Sequence, residues 1–157
     1  DKVLWTFNGE PGVVRHFKSA SGTGCCERPW TLPDGKTLLV GSSYNNWWYY
    51  IDAASGTVQG KVVVPDSPVA HNMTVTADGK VGMLASETPT LSVVDVPGRK
   101  LIRTVTFSDS VPPLTINHDG SLLYDTLHQI AGFEIADVKT GTMIKRVELP
   151  REMWKAK

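Results

Sequence analysis

Cys25-Cys26 is the most reactive pair in the chain, and three readings of it stand open. A vicinal disulfide would be strained and readily reduced. A thiolate pair joined by His71 or His16 would suit a soft transition metal. Two free or weakly buried thiols would have no chemical role. No Cys-x-x-Cys spacing marks a zinc site. His71 stands in Pro68-Val-Ala-His-Asn72. It reads either as an imidazole facing a ligand or as a side chain bonded to a backbone carbonyl in a tight connection. His16 and His128 read as loop residues, and the three imidazoles together make a weak candidate set for a transition metal. Glu27-Arg28 reads as an internal ion pair. Trp47-Trp48-Tyr49-Tyr50 is either a stacking surface for a sugar, quinone or peptide, or filling between layers. Alternation puts Trp48 and Tyr50 on one side and Trp47 and Tyr49 on the other. No phosphate-cradling glycine loop, Gly-x-Ser-x-Gly elbow or His-Glu-x-x-His occurs, so no complete catalytic set is evident.

The elements that must position these residues repeat about every 42 residues. Asp34-Gly35, Asp78-Gly79 and Asp119-Gly120 are 44 and 41 residues apart. Asp52, Asp95 and Asp137 keep step at 43 and 42. Gly56, Gly98 and Gly141 follow as a third marker. Each copy reads as four short strands. In the second these are Asn72–Thr76, Val81–Ser86, Leu91–Asp95 and Leu101–Phe107, the last with Leu101, Arg103, Val105 and Phe107 on one face. A period of this length with short strands and tight turns predicts an all-β fold, a β-propeller of three complete four-stranded blades, at 29–65, 66–107 and 108–150. Lys2–Phe7 resembles the last strand of a blade whose body is absent, an orphan N-terminal strand. Residues 8–28 have no clear period and read as a long loop or lid. The 157 residues therefore form a single partial propeller domain, either a fragment of a larger ring or a chain that completes itself with another.

Blade geometry sorts the chemical residues. The connection between blades and the loop between second and third strands share one face, and the Asp-Gly turns lie on the other. One mouth should then carry Cys25, Cys26, Glu27 and Arg28, with His71 and Asn72 from the next connection. The loops between second and third strands add Trp47 with Asn45 and Asn46, then Glu87, then His128 and Gln129. His118 should lie on the opposite face. The repeated Asp52, Asp95 and Asp137 read as carboxylates that bond backbone amides of their turns.

Composition excludes some partners. Sixteen basic residues balance 16 acidic ones, so no basic excess exists to hold a nucleic acid backbone. No apolar stretch approaches the length of a membrane span.

Pro68-Val-Ala-His-Asn-Met-Thr-Val-Thr-Ala-Asp-Gly79, Leu84-Ala-Ser86, Leu91-Ser-Val-Val-Asp95 and Asp137-Val-Lys-Thr-Gly141 resemble the YVTN-repeat β-propeller proteins over residues 29–150. The second strands Leu39-Val-Gly-Ser42 and Leu123-Tyr-Asp-Thr126 depart from the family tetrapeptide, and Cys25-Cys26-Glu27-Arg28 replaces the usual Pro-x-His approach. The resemblance implies a seven-bladed, secreted or periplasmic propeller, with lactonase-like enzymes and propeller subunits of redox enzymes among its relatives. Lys2-Val-Leu-Trp5 is also similar to a quinoprotein pattern. The leading expectation is an exported, non-catalytic binding or scaffold module that presents a loop-lined face to a protein or small ligand. Its partners would be that protein or the remaining blades, from the same or another chain. One alternative is a redox subunit holding quinone, haem or copper at the mouth through Cys25, Cys26, His71 or His128. The other is a lactonase-like hydrolase using Glu27, Arg28 and His71.

Overall fold

The computed structural model describes residues 2–7, 27–42, 45–65, 70–109, 111, 113–127, 129 and 131–150. Its twelve strands form three antiparallel four-stranded sheets, each in simple sequence order. Blade one holds β1 (Glu27–Thr31), β2 (Thr37–Gly41), β3 (Trp47–Asp52) and β4 (Val58–Val63). Blade two holds β5 (Ala70–Val75), β6 (Val81–Ser86), β7 (Thr90–Asp95) and β8 (Lys100–Thr106). Blade three holds β9 (Leu114–Ile116), β10 (Leu122–Thr126), β11 (Gly132–Asp137) and β12 (Met143–Glu148). No described residue is helical. The first strand of blade one begins at Glu27, inside the stretch expected to be loop, and the rest of that stretch lies outside the described residues.

The turns explain why the strands stop where they do. Asp34 accepts hydrogen bonds from the amides of Lys36 and Thr37, and Asp78 and Asp119 do the same for Lys80 and Ser121. Asp52, Asp95 and Asp137 accept from Ser55, Gly98 and Thr140. These bonds hold Asp34, Asp52, Asp78, Asp119 and Asp137 below the usual carboxylate range. Backbone bonds from Ala53 to Lys36, Val96 to Lys80 and Val138 to Ser121 tie the two sets of turns together on one face. Bonds from Val64 to Asn46, Phe107 to Pro89 and Leu149 to Ala131 tie each fourth strand to the loop between second and third strands on the other. The expected sorting of loops by face therefore holds.

Successive blades pack through their faces. Trp48, Tyr50, Leu39 and Val62 of blade one meet Met73, Leu84 and Val94 of blade two. Met83, Leu91, Val93 and Val105 of blade two meet Leu123 and Ala136 of blade three. Burial of this much apolar surface is what holds the blades together. Trp48, Tyr49 and Tyr50 are almost fully buried, so for three of the four aromatics the filling reading holds rather than the stacking surface.

Two expectations are corrected. Residues 2–7 form no strand, yet they occupy the place of a preceding blade. Trp5 and Phe7 pack on Val40, Tyr49 and Ile51, Phe7 meets the Tyr49 ring edge-on at 5.1 Å, and Trp5 Nε1 donates to the Ala53 carbonyl at 3.0 Å. The second correction is in the fourth strands. All three carry a bulge at the same point, between the pairs Ile51↔Val58 and Tyr50↔Gly60, Val94↔Leu101 and Val93↔Arg103, and Ala136↔Met143 and Ile135↔Lys145. The extra residues are Gln59, Ile102 and Ile144. Each bulge reverses the alternation. Leu101 therefore packs toward blade one, whereas Val105 and Phe107 pack toward blade three.

Candidate functional site

The described part of the expected mouth is loosely built. His71 sits in a bulge at the start of β5, between the pairs Ala70↔Ser86 and Asn72↔Ala85, with its Nδ1 buried and unpartnered. The Asn72 side chain accepts from the amide of Met73 at 3.0 Å. Trp47 carries Lys61 Nζ over its ring at 4.2 Å, and its Nε1 is buried without a partner. Glu87 is exposed just after β6. Glu27 and Arg28 open β1. Cys25, Cys26, His16 and His128 lie outside the described residues. No hydrogen bond or ion pair joins any two of His71, Asn72, Trp47 and Glu87. Among the described residues no group of three His, Cys, Asp or Glu could hold a metal ion. Of the ligands named for haem or copper, the described residues supply His71 alone, which is no ligand set.

A sharper chemical feature is a buried carboxyl pair in blade three, outside the residues that the sequence assigns to the mouth. Asp125 of β10 lies directly across the ladder from Glu134 of β11. Asp125 is fully buried and Glu134 is 4% exposed. Glu134 accepts from the Ser108 amide at 2.9 Å and the Ser108 hydroxyl at 2.7 Å, and Arg146 approaches it at 4.0 Å. Neither Asp125 oxygen has a partner. Burial, then the neighbouring Glu134 and Asp109, push the Asp125 carboxyl up to about 8, so it is neutral at pH 7. Register places the pair where blade two has Leu84 and Ser92, and where blade one has Val40 and Tyr49. A sequence signal existed: six residues after each turn aspartate stand Val40, Leu84 and Asp125, and only the third is polar.

The cavities open on the turn face. A cleft of ≈300 Å³ between blades one and two is lined by Tyr50, Gln59, Asp34, Asp78 and Arg99. A larger one, ≈480 Å³, lies between blades two and three and includes Ile102, Arg103, His118, Asp119 and Lys139. In the first, Arg99 donates to the Gln59 carbonyl at 2.5 Å and stacks over Tyr50 at 4.9 Å. The Tyr50 hydroxyl, buried without a partner, is pushed up to about 12, chiefly by burial. Arg99 has φ 53°, in the position that Gly56 and Gly141 fill in the other blades at 74° and 75°. The glycine marker of the repeat is therefore displaced in blade two, where Gly98 precedes the left-handed residue. Contacts across the cleft offset a strain of about 1–2 kcal/mol for an L-residue there. Gly60 makes room, because a Cβ on it would collide with the Arg99 guanidinium.

The fold is that of a β-propeller, and the chain is a partial one. No protein-family model matches the chain, and no curated protein does. Among solved structures it is similar to Kuenenia stuttgartiensis hydrazine synthase, with a TM-score of 0.72 and 20% identity over 90% of this chain and 40% of that one. It is similar also to the Cps50 (Swd1) β-propeller domain of Myceliophteria thermophila, with a TM-score of 0.72 and 13% identity over 80% of this chain and 41% of that one. The chain thus spans about two fifths of each neighbour, and at these identities the likeness is one of fold.

Proposed function

We propose that this chain is a binding or scaffold module of an exported, YVTN-repeat-like β-propeller. Its mouth loops meet a protein or small ligand, and its blade-three face takes a further four-stranded blade from the same or another chain. One observation carries the assembly half of this reading. Tyr124, Phe133, Ile135, Val147 and Leu149 stand at the register positions of Met83, Leu91, Val93, Val105 and Phe107. The blade-two set is at most 3% exposed because blade three covers it, whereas Leu149 is 44% exposed and the other four are half-buried. The same face that drives blade two onto blade three is thus repeated, apolar, on blade three.

The test is assembly of the full chain in solution. Sedimentation should show self-association that Phe133→Asp and Val147→Asp abolish while the β-sheet circular dichroism persists. A monodisperse monomer with a stable fold at high concentration would remove this reading. The redox reading is favoured only by the unpartnered Nδ1 of His71. It requires visible absorbance or bound metal in purified protein, and loss of that signal on His71→Ala.

A further inference from the structure

We propose that the cleft between blades two and three binds a small amphiphilic oxyanion, a carboxylate or phosphate on an apolar body, with its head on Arg103. Both walls of this cleft come from blades present in the chain, so the inference does not depend on further blades or on the mouth.

The comparison with the neighbouring cleft carries the argument. In the cleft between blades one and two, the later blade supplies the cation. Arg99 crosses over Gly60, bonds the Gln59 carbonyl and stacks on Tyr50, so its guanidinium is occupied and the space is reduced to ≈300 Å³. In the next cleft the two positions are exchanged. Register puts Arg103 where Gly60 stands and Gly141 where Arg99 stands. The cation now comes from the earlier blade, and its side chain runs beside Gly141, 3.5 Å from where a Cβ would be. No described residue accepts a hydrogen bond from Arg103, and its Nε is buried without a partner. An arginine with a buried, unused donor calls for an acceptor, because leaving it unmade is costly.

The rest of the lining fits one. Lys139 and His118 stand beside it. The two carboxylates of the lining are already engaged: Asp78 with the Lys80 amide and Nζ and the Thr76 hydroxyl, Asp119 with the Ser121 amide and hydroxyl. Val81, Val93, Ile102 and Val138 supply apolar wall, and Ile102 is 43% exposed. It is the extra residue of the β8 bulge, which also turns Arg103 into this cleft. A volume of ≈480 Å³ suits a small organic molecule better than an inorganic ion. Arginine's planar fork matches a carboxylate or phosphate.

The experiment titrates the full chain with octanoate, octyl phosphate and, as the neutral analogue, octanol, followed by amide NMR shifts. At least one anion should bind saturably with Kd on the order of 1 mM, shifting the amides of Ile102, Val138 and Gly141. Which of the two binds more tightly names the head group. Arg103→Gln should weaken binding about tenfold or more, and Arg99→Gln should leave it unchanged. Ile102→Asp, at a position 43% exposed, should abolish binding and serves if Arg103→Gln does not fold. Absence of saturable shifts with both anions, equal affinity for octanol, or wild-type affinity in the folded Arg103→Gln or Ile102→Asp variant would each overturn the assignment.

Discussion

Replacing Asp125 should strengthen the protein, and by an amount that depends on pH. In the unfolded chain this carboxyl ionises near 3.8, whereas in the fold it holds its proton to about 8. Between those values the folded state binds the extra proton, so stability falls as pH rises, by about 1.4 kcal/mol per pH unit. At pH 7 the penalty is about 4 kcal/mol, and above pH 8 it levels off because both states are ionised. Asp125→Leu copies what blade two has at this position, Leu84. Asp125→Asn keeps the shape and removes only the charge. Urea unfolding of the three proteins from pH 5 to pH 9 reads the effect directly. The wild type should lose about 4 kcal/mol across the window. The difference between it and Asp125→Asn should shrink as pH falls toward 5, whereas Asp125→Leu should keep a constant advantage there because it also removes two unpartnered buried oxygens. Comparison with the variants subtracts any histidine contribution. Parallel pH profiles for wild type and Asp125→Asn, or a destabilised Asp125→Leu, would refute the reasoning that burial beside Glu134 keeps this acid neutral.

Three further outcomes follow from contacts on the turn face and the N-terminal segment. Arg99→Ala should cost about 1–2 kcal/mol through its lost bond to Gln59 and its stacking on Tyr50. Arg99→Gly should cost about 1 kcal/mol less, because glycine relieves the left-handed backbone; equal losses in thermal melts would show that the backbone there is unstrained. The turn carboxylates of Asp34, Asp52, Asp78, Asp119 and Asp137 are all held below 3.8 in the fold. Their contribution is therefore complete above that pH and is lost as pH falls below it, giving an acid limb opposite in sign to that of Asp125; a titration of the unfolding midpoint from pH 5 to pH 2 checks the fall. Trp5→Ala should destabilise by about 2–3 kcal/mol through lost packing and the lost bond to Ala53, and should raise the accessibility of Tyr49 to iodide quenching.

The blade layout was legible because the repeat writes it twice, once in turn aspartates and once in apolar alternation. Strand β6 falls at Val81–Ser86, where its residues predict, and the two loop faces sort as counted from the turns. The fourth strands were not legible in the same way. A bulge adds one residue without a marker in the sequence, and alternation read through Ile102 assigns Leu101 to the wrong side. The sequence points to Gly98 as the turn glycine, because Arg99 in a left-handed conformation becomes tolerable only through Gln59 and Tyr50 of another blade. The carboxyl pair was hidden for a different reason. Asp125 and Glu134 are unremarkable apart, and only the ladder sets them opposite one another. Residue type alone singles out Cys25, His71 and the mouth, whereas the chemistry of the described residues concentrates between blades.

Each junction between wedges is built from one bulky partner and one vacancy: Trp5 over Gly56, Arg99 over Gly60, Arg103 beside Gly141. The donor of the bulk changes from the earlier wedge to the later one and back. A copy of blade two set after itself would press two guanidinium groups together, and blade three set directly after blade one would leave two glycines facing a hole. The units are alike in outline yet cannot be shuffled, so each carries its own address in the circle.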